Sequence, residues 1–62
     1  GIDKIAQKVG EEATEVIIAS KNENKKEVIY ESADLLFHFL LLLQKKNLRF
    51  KDVIDELEQR NN

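Results

Sequence analysis

Sixty-two residues allow one small domain with a thin core, and a chain without cysteine holds neither a disulfide nor a thiolate metal site. No proline, two glycines, 42% hydrophobic and 35% charged residues favour helices over sheets. A formal charge of -2 with no basic stripe argues against nucleic acid as a partner.

The opening GIDKIAQK lacks the apolar centre of a signal peptide. The longest apolar run is interrupted by His38 and reaches about half the length of a membrane span. Together these mark a soluble, cytoplasmic chain with no membrane partner. The chain has no methionine and opens at Gly1, which fits a piece of a longer protein.

The first predicted helix runs from about Asp3, read as its N-cap, to about Lys21. Ile5, Val9, Val16 and Ala19 recur at helical spacing as its buried stripe, and Ile17 and Ile18 widen it. KNENKK, residues 21–26, is a polar break suited to a helix–helix turn. The second helix spans about Lys25 to Lys46, and its middle, LLFHFLLLL, is apolar on nearly every side. Such a helix is buried all round, and two short neighbours cannot cover it, so self-association is expected. After Asn47 and Leu48 a third helix runs from about Arg49 to Arg60, with Phe50, Val53, Ile54 and Leu57 as its apolar stripe. The expected fold is all-α: an antiparallel helical hairpin plus a third helix, completed into a helical bundle by self-association. Residues 1–62 form one domain in this reading.

Glutamates interrupt the first stripe. With successive residues turning by about 100°, Ile5, Val9, Val16 and Ala19 all fall within about 60° of Glu12. Glu15 lies about 60° to the other side, so both carboxylates reach a common point. Glu31 and Asp34 repeat the i, i+3 spacing on the second helix, among Val28, Leu35 and Leu42. A carboxylate so placed is costly unless paired, protonated or bound to a metal. Two such pairs can offer four oxygen ligands to one site, a set suited to Mg²⁺ or Mn²⁺, and Mg²⁺ in turn suits phosphate chemistry.

Spacing alone leaves a second reading standing, with Glu12 paired to Lys8 one turn earlier. Lys8 itself reads either as a phosphate contact or as a solvated lysine beside a glutamate. His38 shares the face of Glu31 and Asp34. It reads as a group holding a carboxylate, as a substrate contact, or as a histidine hydrogen-bonded within the bundle. A di-iron bundle wants Glu-x-x-His on two helices, and Glu-x-x-Glu and Glu-x-x-Asp do not supply it.

QKVGEEATEVIIASKN and YESADLLFHFLLLLQKKNL, with the tail NLRFKDVIDELEQRNN, resemble the phosphoribosyl-ATP pyrophosphohydrolases of histidine biosynthesis. Glu-Glu-x-x-Glu plus Glu-x-x-Asp marks the wider all-α, MazG-like nucleotide pyrophosphohydrolase superfamily, and KVGEEATE and ADLLFH narrow it. The resemblance implies Mg²⁺-dependent hydrolysis of phosphoribosyl-ATP to phosphoribosyl-AMP and pyrophosphate. It places Glu12, Glu15, Glu31 and Asp34 at metal-binding positions. Glu11 and Glu12 become the candidate catalytic residues, with Glu11 either an outer ligand or the group orienting the attacking water. It further implies a homodimer or higher homo-oligomer, and either a stand-alone enzyme or a fusion behind a phosphoribosyl-AMP cyclohydrolase domain. The family's pattern has one further helix upstream, expected to contribute to the bundle and to phosphate binding. Two rivals follow: a housecleaning nucleoside triphosphate pyrophosphohydrolase, and a catalytically incomplete helical association module.

Overall fold

Three helices account for nearly all of residues 1–61, which the computed structural model describes: α1 (Ile2–Ser20), α2 (Lys25–Lys45) and α3 (Phe50–Arg60). Asn62, the last residue of the expected domain, lies outside the described residues. The all-α expectation holds, and each helix boundary falls within a residue of its predicted place. One detail differs. Gly1, not Asp3, occupies the N-cap of α1, so Asp3 sits inside the first turn, where its charge opposes the helix dipole's positive end.

Local chemistry explains the breaks. Asn24 caps α2, its side-chain oxygen accepting from the backbone N–H groups of Lys26 at 3.0 Å and Glu27 at 3.3 Å. At the other end Asn47 adopts φ 59°, a left-handed conformation that asparagine tolerates. Leu48 N–H then donates to the Leu43 carbonyl at 2.9 Å and Asn47 N–H to that of Gln44 at 3.0 Å, closing the last carbonyls of α2. Asn47→Gly is expected to leave the melting temperature level or slightly raised. Asn47→Val should destabilise by about 1–2 kcal/mol, because a β-branched side chain resists the left-handed region; urea denaturation of the two variants checks the pair. α3 starts with the carboxylate of Asp52 accepting from the Arg49 backbone N–H at 2.8 Å and its guanidinium at 3.0 Å. Those hydrogen bonds hold the Asp52 carboxyl below its ordinary pKa.

The principal dimensions are 35 × 34 × 14 Å. The fold is thin in one direction, with one well-packed helix pair in place of a filled bundle. Packing is concentrated between α1 and α2, whose short connection makes them an antiparallel hairpin. Among the described residues only Ala19 and Leu43 are buried apolar side chains.

The predicted stripe Ile5, Val9, Val16 and Ala19 does turn toward α2, half-buried or buried. Ile17 and Ile18 do not extend it. They are 58% and 57% exposed, because one neighbouring helix covers only a narrow arc of α1. On α2, Ile29, Tyr30, Leu36, Phe37 and Leu40 are exposed for the same reason, as are Phe50 and Leu57 on α3. Among the described residues no helix is long and apolar enough to cross a membrane.

Candidate functional site

The site is built on the face where α1 and α2 meet. Glu12 comes from the middle of α1 and is buried, with its side chain 9% exposed. Its partner is His38 of α2, whose Nδ1 lies 2.5 Å from Glu12 Oε1. The same nitrogen lies 3.3 Å from the backbone carbonyl oxygen of Asp34, one turn earlier on α2. A buried carboxylate without a partner is costly, and this pairing meets that cost inside the hairpin. Phe37 sets its ring edge-on to the imidazole, with centroids 5.1 Å apart and planes at 80°.

One turn along α1, Glu15 brings its carboxyl group within hydrogen-bonding reach of Glu31 on α2. Glu31 is half-buried, with Asp34 and Glu27 beside it on its own helix. Its pKa is raised, first by partial loss of hydration, then by the hydrogen bond and charge of Glu15, then by the charges of Asp34 and Glu27. The two helices thus press like charges together at a partly solvated place. No basic side chain is ion-paired to Glu15, Glu31 or Asp34 among the described residues.

Of the predicted site residues, the hairpin therefore joins Glu12 to His38 and Glu15 to Glu31, with Asp34 beside each pair. Among the described residues no three of these groups converge as a ready-made metal-ligand set. What is present is an open group of oxygen donors in which negative charge accumulates. That suits a hard cation that keeps several waters and takes only one or two carboxylates, as Mg²⁺ does, better than a closed cage of protein ligands.

Glu11 and Lys8 lie apart from this crowding. Glu11 is half-exposed, accepts from the Gln7 amide at 3.0 Å and has Lys8 Nζ 4.0 Å away, all on α1. The alternative pairing of Glu12 with Lys8 is not formed: Lys8 turns to Glu11, and His38 occupies Glu12. Spacing had aligned His38 with Glu31 and Asp34 but left its bond to Glu12 unseen, because that bond depends on the register between helices. A lone histidine one turn after an inward aspartate was the available signal.

Comparison with known proteins gives a consistent answer. A family model described as phosphoribosyl-ATP pyrophosphohydrolase matches residues 1–61. A phosphoribosyl-ATP pyrophosphatase of Clostridium acetobutylicum is 56% identical over 61 residues, 98% of this chain and 56% of the relative. Histidine biosynthesis bifunctional proteins HisIE of Caldanaerobacter subterraneus and Bacillus subtilis are 58% and 54% identical over 97% and 98% of the chain. The chain spans about half the length of the single-function relative (56%) and under a third of the bifunctional ones (29%).

Proposed function

Because this chain belongs to the phosphoribosyl-ATP pyrophosphohydrolase family, we propose that its α1–α2 hairpin carries the carboxylate half of a Mg²⁺-dependent site that hydrolyses phosphoribosyl-ATP to phosphoribosyl-AMP and pyrophosphate. The observation that carries the reading is the meeting of Glu15 and Glu31 across the hairpin, with Asp34 and Glu27 adding charge of the same sign. A folded protein keeps such crowding at a cost, and a divalent cation turns it to use.

Glu12, Glu15, Glu31 and Asp34 are the candidate metal ligands, one or two of them holding the ion at a time and water filling its other positions, Mg²⁺ first and Mn²⁺ as an alternative. When bound, the ion supplies charge neutralisation at the phosphates and a more acidic water. Glu11, exposed on α1 beside Glu12, is read as an outer ligand or as the group that orients the attacking water, and Glu12 as sharing the catalytic role. Lys8 beside it offers an ammonium to a substrate phosphate. No covalent intermediate is needed, because water supplies the oxygen and pyrophosphate leaves.

Residues 1–62 are read as one domain, or part of one, of this kind. The relatives called bifunctional support a fusion to a cyclohydrolase domain in some settings, and a cytoplasmic location suits such a biosynthetic step. Exposed apolar side chains on all three helices support a homodimer or higher homo-oligomer.

A second reading has its own observation. Ile29, Tyr30, Leu36, Phe37 and Leu40 leave much of α2 apolar and exposed, which suits a catalytically incomplete helical association module. Pyrophosphate release from phosphoribosyl-ATP and from ordinary nucleoside triphosphates, with and without Mg²⁺, separates the readings. Mg²⁺-dependent release confined to phosphoribosyl-ATP is the expected result. Release from ordinary triphosphates would move the chain to the housecleaning class, and no release from any would favour the association module.

A further inference from the structure

We propose that His38 is a positioning residue, clamping Glu12 of α1 to the backbone of α2 so that one carboxylate oxygen is fixed and the other is left for a metal ion or its water. The proposal rests on the metal-site reading above and adds the group that sets the site's geometry.

The argument starts from donors and acceptors. His38 Nδ1 lies 2.5 Å from Glu12 Oε1 and 3.3 Å from the Asp34 carbonyl oxygen. A carboxylate oxygen and a carbonyl oxygen both accept, so the hydrogen sits on Nδ1 and is donated to both, mainly to the nearer. The contact with the Asp34 carbonyl sets the ring against its own helix, and the edge-on Phe37 ring adds a second constraint. A glutamate side chain has three rotatable bonds, and fixing Oε1 through a constrained ring removes most of that freedom.

The clamp also links the two halves of the site. Glu12 precedes Glu15 by one turn on α1, and His38 follows Asp34 by one turn on α2. The bond therefore ties the helix bearing Glu12 and Glu15 to the helix bearing Glu31 and Asp34, next to the place where like charges tend to push them apart. Hydrogen bonding of a ligating carboxylate by such an outer partner is a common way to tune a metal site.

The test measures Mn²⁺ affinity directly by electron paramagnetic resonance, with no substrate present, on the 62-residue chain and a set of variants. His38→Asn keeps an amide donor near the Nδ1 position. His38→Gln carries its amide past that position, and His38→Phe keeps the ring without the donor. His38→Phe and His38→Gln are expected to weaken Mn²⁺ binding about 10–100-fold, with His38→Asn within about 3-fold of the parent. In a Glu12→Gln background, His38→Gln should weaken binding no further, because its effect runs through Glu12. Circular dichroism identifies variants that fail to fold, and if His38→Phe unfolds, the contrast between Gln and Asn decides. Parent-like binding by His38→Gln, or equal further losses in the Glu12→Gln background, would overturn the clamp while leaving the metal reading intact. A parent chain that binds no Mn²⁺ would overturn both.

Discussion

Glu31→Gln is expected to stabilise the metal-free chain at neutral pH and at the same time to abolish its response to Mg²⁺. The substitution keeps shape and removes one charge from a place where Glu15, Asp34 and Glu27 already repel it. Because the folded chain raises the Glu31 pKa, it binds that proton more tightly than the unfolded chain does. The stability so gained is complete below the unfolded pKa and is lost as pH rises through the folded value. At pH 7 the ionised Glu31 is therefore a net cost, and the variant should melt above the parent. Below about pH 4 the carboxyl is protonated in both folded and unfolded chains, and the difference should close. Added Mg²⁺ should raise the parent's melting temperature by mass action and leave the variant's unmoved. Pyrophosphate release should fall by at least about 100-fold, since partners one layer outside a metal site already cost about 10–100-fold. Thermal melts of parent and variant at the two pH values, with and without Mg²⁺, make the comparison. A variant that melts lower at pH 7 yet keeps its Mg²⁺ response would show that this crowding is not a cation site.

What could be read from residues alone was what depends on neighbours along the chain. Asn24 before an apolar-periodic run and Asn47 after it are punctuation with a local cause, and α2 begins and ends beside them. The inward direction of Glu12 was legible because Ile5, Val9, Val16 and Ala19 surround it in helical angle, and the structure buries it. Its partner was not legible. LLFHFLLLL is apolar at almost every position, so hydrophobic pattern alone admits several registers of α2 against α1, and only a cross-helix polar contact such as Glu12–His38 distinguishes them. The exposure of Ile17 and Ile18 follows from there being one neighbour rather than two, a tertiary fact absent from periodicity. The same holds for α3, whose stripe is plain in the sequence but finds little of the hairpin to pack against. Glu11 and Glu12, adjacent in sequence, illustrate the division: one is tied to Gln7 and Lys8 within a helix, the other across the hairpin.

Leu43→Ala should take away most of the chain's stability, whereas Leu36→Ala should cost little in an isolated chain. Leu43 is 8% exposed and shares the described apolar core only with Ala19, which is fully buried. A buried leucine cut to alanine costs about 2–5 kcal/mol, through lost transfer free energy and the cavity left behind. A single core of this size supplies only about 3–5 kcal/mol in total, so the variant should be largely unfolded at room temperature. Leu36 is 47% exposed on the open face of α2, and its truncation in a monomer should fall within about 0.5–1 kcal/mol. The contrast becomes informative when protein concentration is varied. If a second copy covers the open face, the parent's melting temperature rises with concentration, and Leu36→Ala removes that dependence while leaving the dilute melt in place. Leu43→Ala should fail at every concentration, because association cannot refill a cavity inside the hairpin. A concentration-independent parent, with Leu36→Ala indistinguishable from it, would mean that the apolar face of α2 awaits something other than another copy of this chain.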